Sequence, residues 1–175
     1  QVYKARVSDF ADTKISLLGD YLPQALQMQE GEQAVFMAAT TDYAGYLLVF
    51  FKNGKCAKVE MNAYQTKLNR KKLIHAYSAA AEPVAMFHIE QDGEFVLTAS
   101  NNRTLIADSR LISPKTTKDT AGVHVMTLKS KTFLDHVTIY QEGMFEQPSH
   151  YRTKNLPAAG SFLRDADDHR QLMLQ

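Results

Sequence analysis

Gly45-Tyr46-Leu47-Leu48-Val49-Phe50-Phe51, then Lys52-Asn53-Gly54-Lys55, then Cys56-Ala57-Lys58-Val59-Glu60 reads as two apolar runs joined by a tight polar turn. The same pattern returns 48 positions later as Gly93-Glu94-Phe95-Val96-Leu97-Thr98-Ala99, Ser100-Asn101-Asn102-Arg103 and Thr104-Leu105-Ile106-Ala107-Asp108. Asn-Gly and Asn-Asn supply the positive φ angles that short hairpin turns need, so each copy is expected to be a β-hairpin. A repeat of roughly fifty residues points to a propeller-like or solenoid array, in which each unit buries its faces against its neighbours. Such arrays bind far more often than they catalyse.

The unit extends beyond the hairpin. After each second strand comes a polar, basic loop, residues 65–72 and 113–121, and then a short apolar run beginning near Leu73 and Val123. One extra residue in the later loop sets His75 opposite His124. The connecting run Glu82-Pro83-Val84-Ala85-Met86-Phe87-His88-Ile89 reads as a strand leading into the next glycine. The N-terminus fits the same frame: residues 2–10 match the second hairpin strand, 11–18 the loop, and 32–39 the connecting strand. Repeats are therefore expected over about 1–40, 41–89 and 90–140, with a closing fragment over 141–163 and a charged tail over 164–175. The chain begins inside a repeat with its first hairpin strand missing, so either upstream sequence has been cut away or another segment is expected to fill that slot.

A length of 175 residues suits one domain with a sizeable core, and an apolar fraction of 45% is ordinary for globular proteins. No run is long enough to cross a bilayer. The lone Cys56 forms no internal disulfide, fits a reducing cytoplasm and aligns with Thr104, which marks it as a packed strand residue. Net charge is only +1, but the charges are unevenly spread. Residues 52–72 carry seven Lys and Arg against Glu60 alone, and residues 103–131 carry six against Asp108 and Asp119. Acidic residues gather in 9–20, in 90–94 and in the tail. If the repeats radiate around an axis, the basic loops share one rim and form a track that attracts a polyanion.

No catalytic or metal-binding constellation is present. The six histidines have no metal-ligand spacing and no cysteine pair, and there is no P-loop. Phe10 and Ile112 stand where the repeat places Tyr64, so that tyrosine is expected to be a core anchor. Phe50, Phe51, Phe87 and Phe95 fall in strands and are expected in the core as well. No metal and no cofactor is expected in this domain.

The order Gln1-Val2-Tyr3-Lys4-Ala5-Arg6-Val7, Gly19 with Tyr21-Leu22-Pro23, the Val35-Phe36 strand, the hairpin Tyr46 to Val59 and Lys118-Asp119-Thr120-Ala121-Gly122-Val123 resembles the C-terminal repeats of the breakage-reunion subunit of bacterial type IIA DNA topoisomerases, the family of DNA gyrase A and its topoisomerase IV counterpart. The resemblance covers residues 1–163. It implies an all-β fold, a β-pinwheel of strand-exchanged, four-stranded blades, here about three to four, that contacts double-stranded DNA along a basic rim. A final strand that pairs in the first blade would close such a ring. The resemblance further implies a bacterial, cytoplasmic, nucleoid-associated location with no membrane contact. It also implies partners in the rest of the breakage-reunion subunit and in the separate ATPase subunit, whose active sites lie outside this chain. The glycine- and arginine-rich box of strongly wrapping gyrases is missing, which favours a topoisomerase IV-like or divergent gyrase-like parent. The DNA-binding residues implied are Lys67, Arg70, Lys71 and Lys72 in one loop, Lys115 and Lys118 in the next, Arg152 and Lys154 in the closing segment, and Lys14. The competing reading is a propeller-like protein-interaction module without nucleic-acid binding. A third, an enzyme with its site at the ring centre, lacks convergent acid, base or ligand sets.

Overall fold

The computed structural model describes residues 1–66 and 71–171, and every ladder between its named strands is antiparallel. The strands are β1 (Val2–Tyr3), β2 (Tyr46–Phe51), β3 (Lys55–Glu60), β4 (Lys72–Leu73), β5 (Pro83–Ile89), β6 (Glu94–Ala99), β7 (Arg103–Asp108), β8 (Val123–His124), β9 (Leu134–Ile139) and β10 (Ser161–Phe162); a long, mostly irregular stretch with the short helix α1 (Leu22–Ala25) separates β1 from β2, and helix α2 (Asp165–Gln171) follows β10. The strands form two four-stranded sheets, ordered β5-β2-β3-β8 and β9-β6-β7-β10, and a two-stranded β1-β4 pair. The expected hairpins are β2-β3 and β6-β7, in matching register: Phe50 faces Cys56 and Thr98 faces Thr104.

The apolar runs are continuous because both faces of each hairpin are covered, and a strand sends alternate side chains to opposite faces. Leu48, Phe50 and Cys56 on one face of the first sheet meet Phe95, Leu97, Leu105 and Ala107 of the second, in a core that Val125, Met126 and Leu134 complete. Phe50, Phe87 and Phe95 form an aromatic triangle there, with centroids 5.1–6.1 Å apart. The opposite face of the first hairpin, Leu47, Val49, Phe51 and Val59, packs on Tyr64, Leu73 and Ala76. Tyr64 is buried as expected, and its hydroxyl donates to the Ala76 carbonyl at 2.8 Å. Cys56 is buried as well, and burial pushes its thiol well above the usual range, so it stays protonated.

Each sheet borrows its last strand from the repeat that follows. β8 follows the second hairpin but pairs with β3 of the first, and β10 pairs with β7. β4 pairs with β1 in the same manner. Gly122 and Gly160 each precede a borrowed strand with positive φ, and each lies against the backbone of the strand it joins. A Cβ on Gly122 would sit 2.3 Å from the Cys56 carbonyl oxygen. Gly122→Ala is therefore expected to loosen β8 and cost about 1–3 kcal/mol, read as a lower urea midpoint.

Four features differ from expectation. Only the last turn residue, Gly54 or Asn102, has positive φ, and each donates its N–H back three residues, to Phe51 or Ala99. The hairpin turns are thus three-residue types ending in a left-handed residue, because a two-residue loop would not bring Phe50 opposite Cys56. Residues 32–39 form no strand, and Val35 and Met37 are exposed. β5 is held by pairing with β2 of its own hairpin, and no strand of that kind pairs with 32–39 among the described residues. The ladders place Leu73 opposite Val2 and Val123 opposite Cys56, so His124 corresponds to Ile74, not to His75, and both histidines are exposed. The last strand, β10, joins the second sheet rather than the first, so the described residues show no ring closure.

The charged tail begins as helix α2, anchored by the buried Asp167. That carboxylate accepts from the Glu146 N–H at 2.6 Å and from the Tyr151 hydroxyl at 2.7 Å. Tyr151 itself is buried with Phe145 and Ile106. Asp167→Ala leaves both donors without their acceptor and is expected to cost about 1–3 kcal/mol in urea unfolding.

Candidate nucleic-acid interface

The two large sheets meet through β5 and β9, which places β8 and β10 on the edge of each sheet away from that contact. The chain that leads into each of these outer strands is one of the segments singled out for its charge: 113–121 before β8 and the closing segment before β10; Lys71 stands just before β4 of the β1-β4 pair. Strand exchange therefore has a direct electrostatic consequence. A loop that must cross to the neighbouring blade runs over the outer edge, where Lys and Arg can remain hydrated.

Side-chain surroundings sort the expected cations into two groups. Lys14, Lys71, Lys115 and Lys154 are exposed, and their ammonium groups make no hydrogen bond or ion pair within the described residues. Lys115 is also well fixed at its backbone: its N–H donates to the Lys58 carbonyl at 2.8 Å and its carbonyl accepts from Glu60 at 2.9 Å. The loop thus presents that side chain from a rigid edge.

The remaining cations have intramolecular partners. Lys118 donates to the Ala63 carbonyl at 3.2 Å and ties its loop to the turn after β3. Lys72 is half-buried, its ammonium 5.3 Å from the centre of the Tyr3 ring. Arg152 makes a two-pronged ion pair with Glu94, at 2.7 and 3.0 Å, and lies over Tyr140. Its guanidinium fork is occupied, and its main role is to lock the closing segment onto β6. Lys67 and Arg70 lie outside the described residues.

Two outer-edge pairs were not anticipated from the sequence. Lys55 faces His124 across β3-β8, and at the equivalent position Arg103 faces Phe162 across β7-β10. The Arg103 guanidinium sits 4.2 Å from the Phe162 ring centre and donates to the Gly160 carbonyl at 2.8 Å. Lys129 and Lys131 are exposed on the turn before β9. The 48-residue spacing of Lys55 and Arg103 was visible, but their outer partners lie 57 or more residues away and carry no local signal. No cluster of three or more metal-ligating side chains occurs among the described residues, and no helix there is long and apolar enough to cross a membrane.

No protein-family model and no curated protein matches the sequence. Among solved structures, the chain is similar to the C-terminal domain of DNA topoisomerase IV, with a TM-score of 0.75 at 18% identity over 89% of this chain and 53% of that one. It is also similar to the DNA gyrase A C-terminal domain, with a TM-score of 0.61 at 17% identity over 81% of this chain and 52% of that one. Against the E. coli ParC C-terminal domain the TM-score is 0.62 at 14% identity, over 86% and 68% of the two chains. This chain thus spans about half the length of the first two structures. At these identities the likeness is one of fold, and the fold is the β-pinwheel that the family resemblance implied.

Proposed function

We propose that this chain is a non-catalytic domain that binds and bends duplex DNA, within the breakage-reunion subunit of an ATP-dependent type II topoisomerase of the topoisomerase IV or gyrase kind. The observation that carries the reading is a set of exposed lysines without side-chain partners among the described residues, Lys115 and Lys154 on the segments leading into the outer strands β8 and β10 and Lys71 beside β4, in a fold shared with gyrase and topoisomerase IV C-terminal domains. Exposed lysines grip phosphates as point charges, recognising charge and shape with little base readout. Bending follows if the duplex touches successive loops. Strand passage would belong to the rest of that subunit, and ATP hydrolysis to its ATPase partner.

Fluorescence anisotropy with a labelled duplex at several salt concentrations tests this. The logarithm of affinity is expected to fall linearly with the logarithm of salt, by about 0.9 for each phosphate neutralised. Absence of binding at low salt would instead support the protein-interaction reading.

A further inference from the structure

We propose that the loop over residues 11–20 is a protein-docking finger whose partner offers an apolar groove bordered by Lys and Arg side chains. Asp20 closes this loop by accepting the Ala11 N–H at 2.7 Å, and a turn from Leu17 to the Lys14 carbonyl shapes its tip. Ile15 and Leu18 are fully exposed at that tip, and Leu17 is 61% exposed. Isolated surface leucines need no explanation, but three large aliphatic side chains on one closed loop form a patch that water disfavours.

The repeat supplies a contrast. This loop stands where the later repeats carry 65–72 and 113–121. Those loops are basic, whereas residues 9–20 hold Asp9, Asp12 and Asp20 against Lys14 alone. The first repeat thus replaces a basic loop with one of net negative charge, Lys14 its single cation, that displays aliphatic groups. Carboxylates beside the tip disfavour both DNA and an anionic lipid surface, and they complement a basic border on a protein. The partner's groove takes the aliphatic tip while its border pairs with Asp9 and Asp12 at the rim of the contact.

Two short synthetic amphipathic helical peptides, one of Leu and Lys and one of Leu and Glu, serve as labelled probes against the full chain at low salt. The Leu/Lys peptide is expected to bind about tenfold more tightly than the Leu/Glu peptide, and Leu17→Asp with Leu18→Asp is expected to remove that binding by a similar factor. Both leucines are exposed, so the melting curve of the double variant should match the parent. Equal affinity for the two peptides, or binding untouched by the double variant, would overturn the proposal. So would co-sedimentation with phosphatidylcholine–phosphatidylglycerol vesicles that the variant loses, which would make the loop a membrane finger. Concentration-dependent self-association abolished by the variant would make a second copy the occupant and also overturn it. None of these readouts involves DNA, so the outcome is independent of the rim assignment.

Discussion

Asp92→Ala is expected to destabilise the fold by about 3–5 kcal/mol, a large part of the stability of a domain this size. Lys58 lies on β3 with only 3% of its side chain exposed, and its ammonium meets Asp92 at 2.6 Å. The same ammonium donates to the Ser109 carbonyl at 3.2 Å and lies 4.4 Å from the centre of the Tyr46 ring. Ser109 in turn donates its hydroxyl to Asp92. Lys58 belongs to the first sheet and Asp92 and Ser109 flank the second hairpin, so this group latches one blade to the next. Removing Asp92 strands a buried cation. Removing both charges does not: 48 positions on, the repeat places the buried Ile106, an apolar answer to the same site.

The double variant Lys58→Met with Asp92→Ala is accordingly expected to recover most of the loss in urea unfolding. Equal costs in the single and double variants would refute the latch. Acid should act through the same pair. Burial raises the Asp92 carboxyl, but hydrogen bonds from Lys58 and Ser109 outweigh it and leave the group below its ordinary 3.8. A carboxyl lowered on folding contributes stability that is complete above its ordinary value and is lost as pH falls through the lowered one. The parent should therefore lose stability below about pH 4 more steeply than the double variant.

The second large effect is expected at the rim. Replacing Lys71, Lys115 and Lys154 together by Gln should flatten the salt dependence of duplex binding by about 0.9 per lost phosphate contact. At 0.1 M salt, three such contacts correspond to a loss of roughly a hundredfold or more in affinity. All three side chains are exposed, so the melting temperature should not move. Arg152→Gln should behave in the opposite way, lowering stability by breaking the Glu94 pair while changing the salt slope little. A triple variant that binds with unchanged slope would remove these loops from the interface.

The hairpins and the core were legible in the sequence because both follow from local periodicity. A strand buried on both faces is apolar along most of its length, and the turns must hold residues that accept a left-handed conformation. Tyr64 and Cys56 could be assigned to the core because the repeat exchanges them for apolar or small residues. The outer ladders could not be read. β8 and β10 are two residues long, too short to carry a period, and they pair with strands 57 to 69 positions away. Residues 32–39 have the composition of a strand and form none, since a strand persists only where a neighbour satisfies its backbone.

A repeating array of β-hairpins, with basic residues recurring on equivalent loops, is written in the local pattern of the chain. Which of those cations are free is written nowhere in that pattern and emerges from long-range packing. Arg152 and Glu94 are 58 positions apart, Lys118 and Ala63 are 55, and each contact forms because strand exchange lays one repeat over another. Periodicity encodes which way a side chain faces along its own strand; what that side chain meets is set by the packing of distant segments.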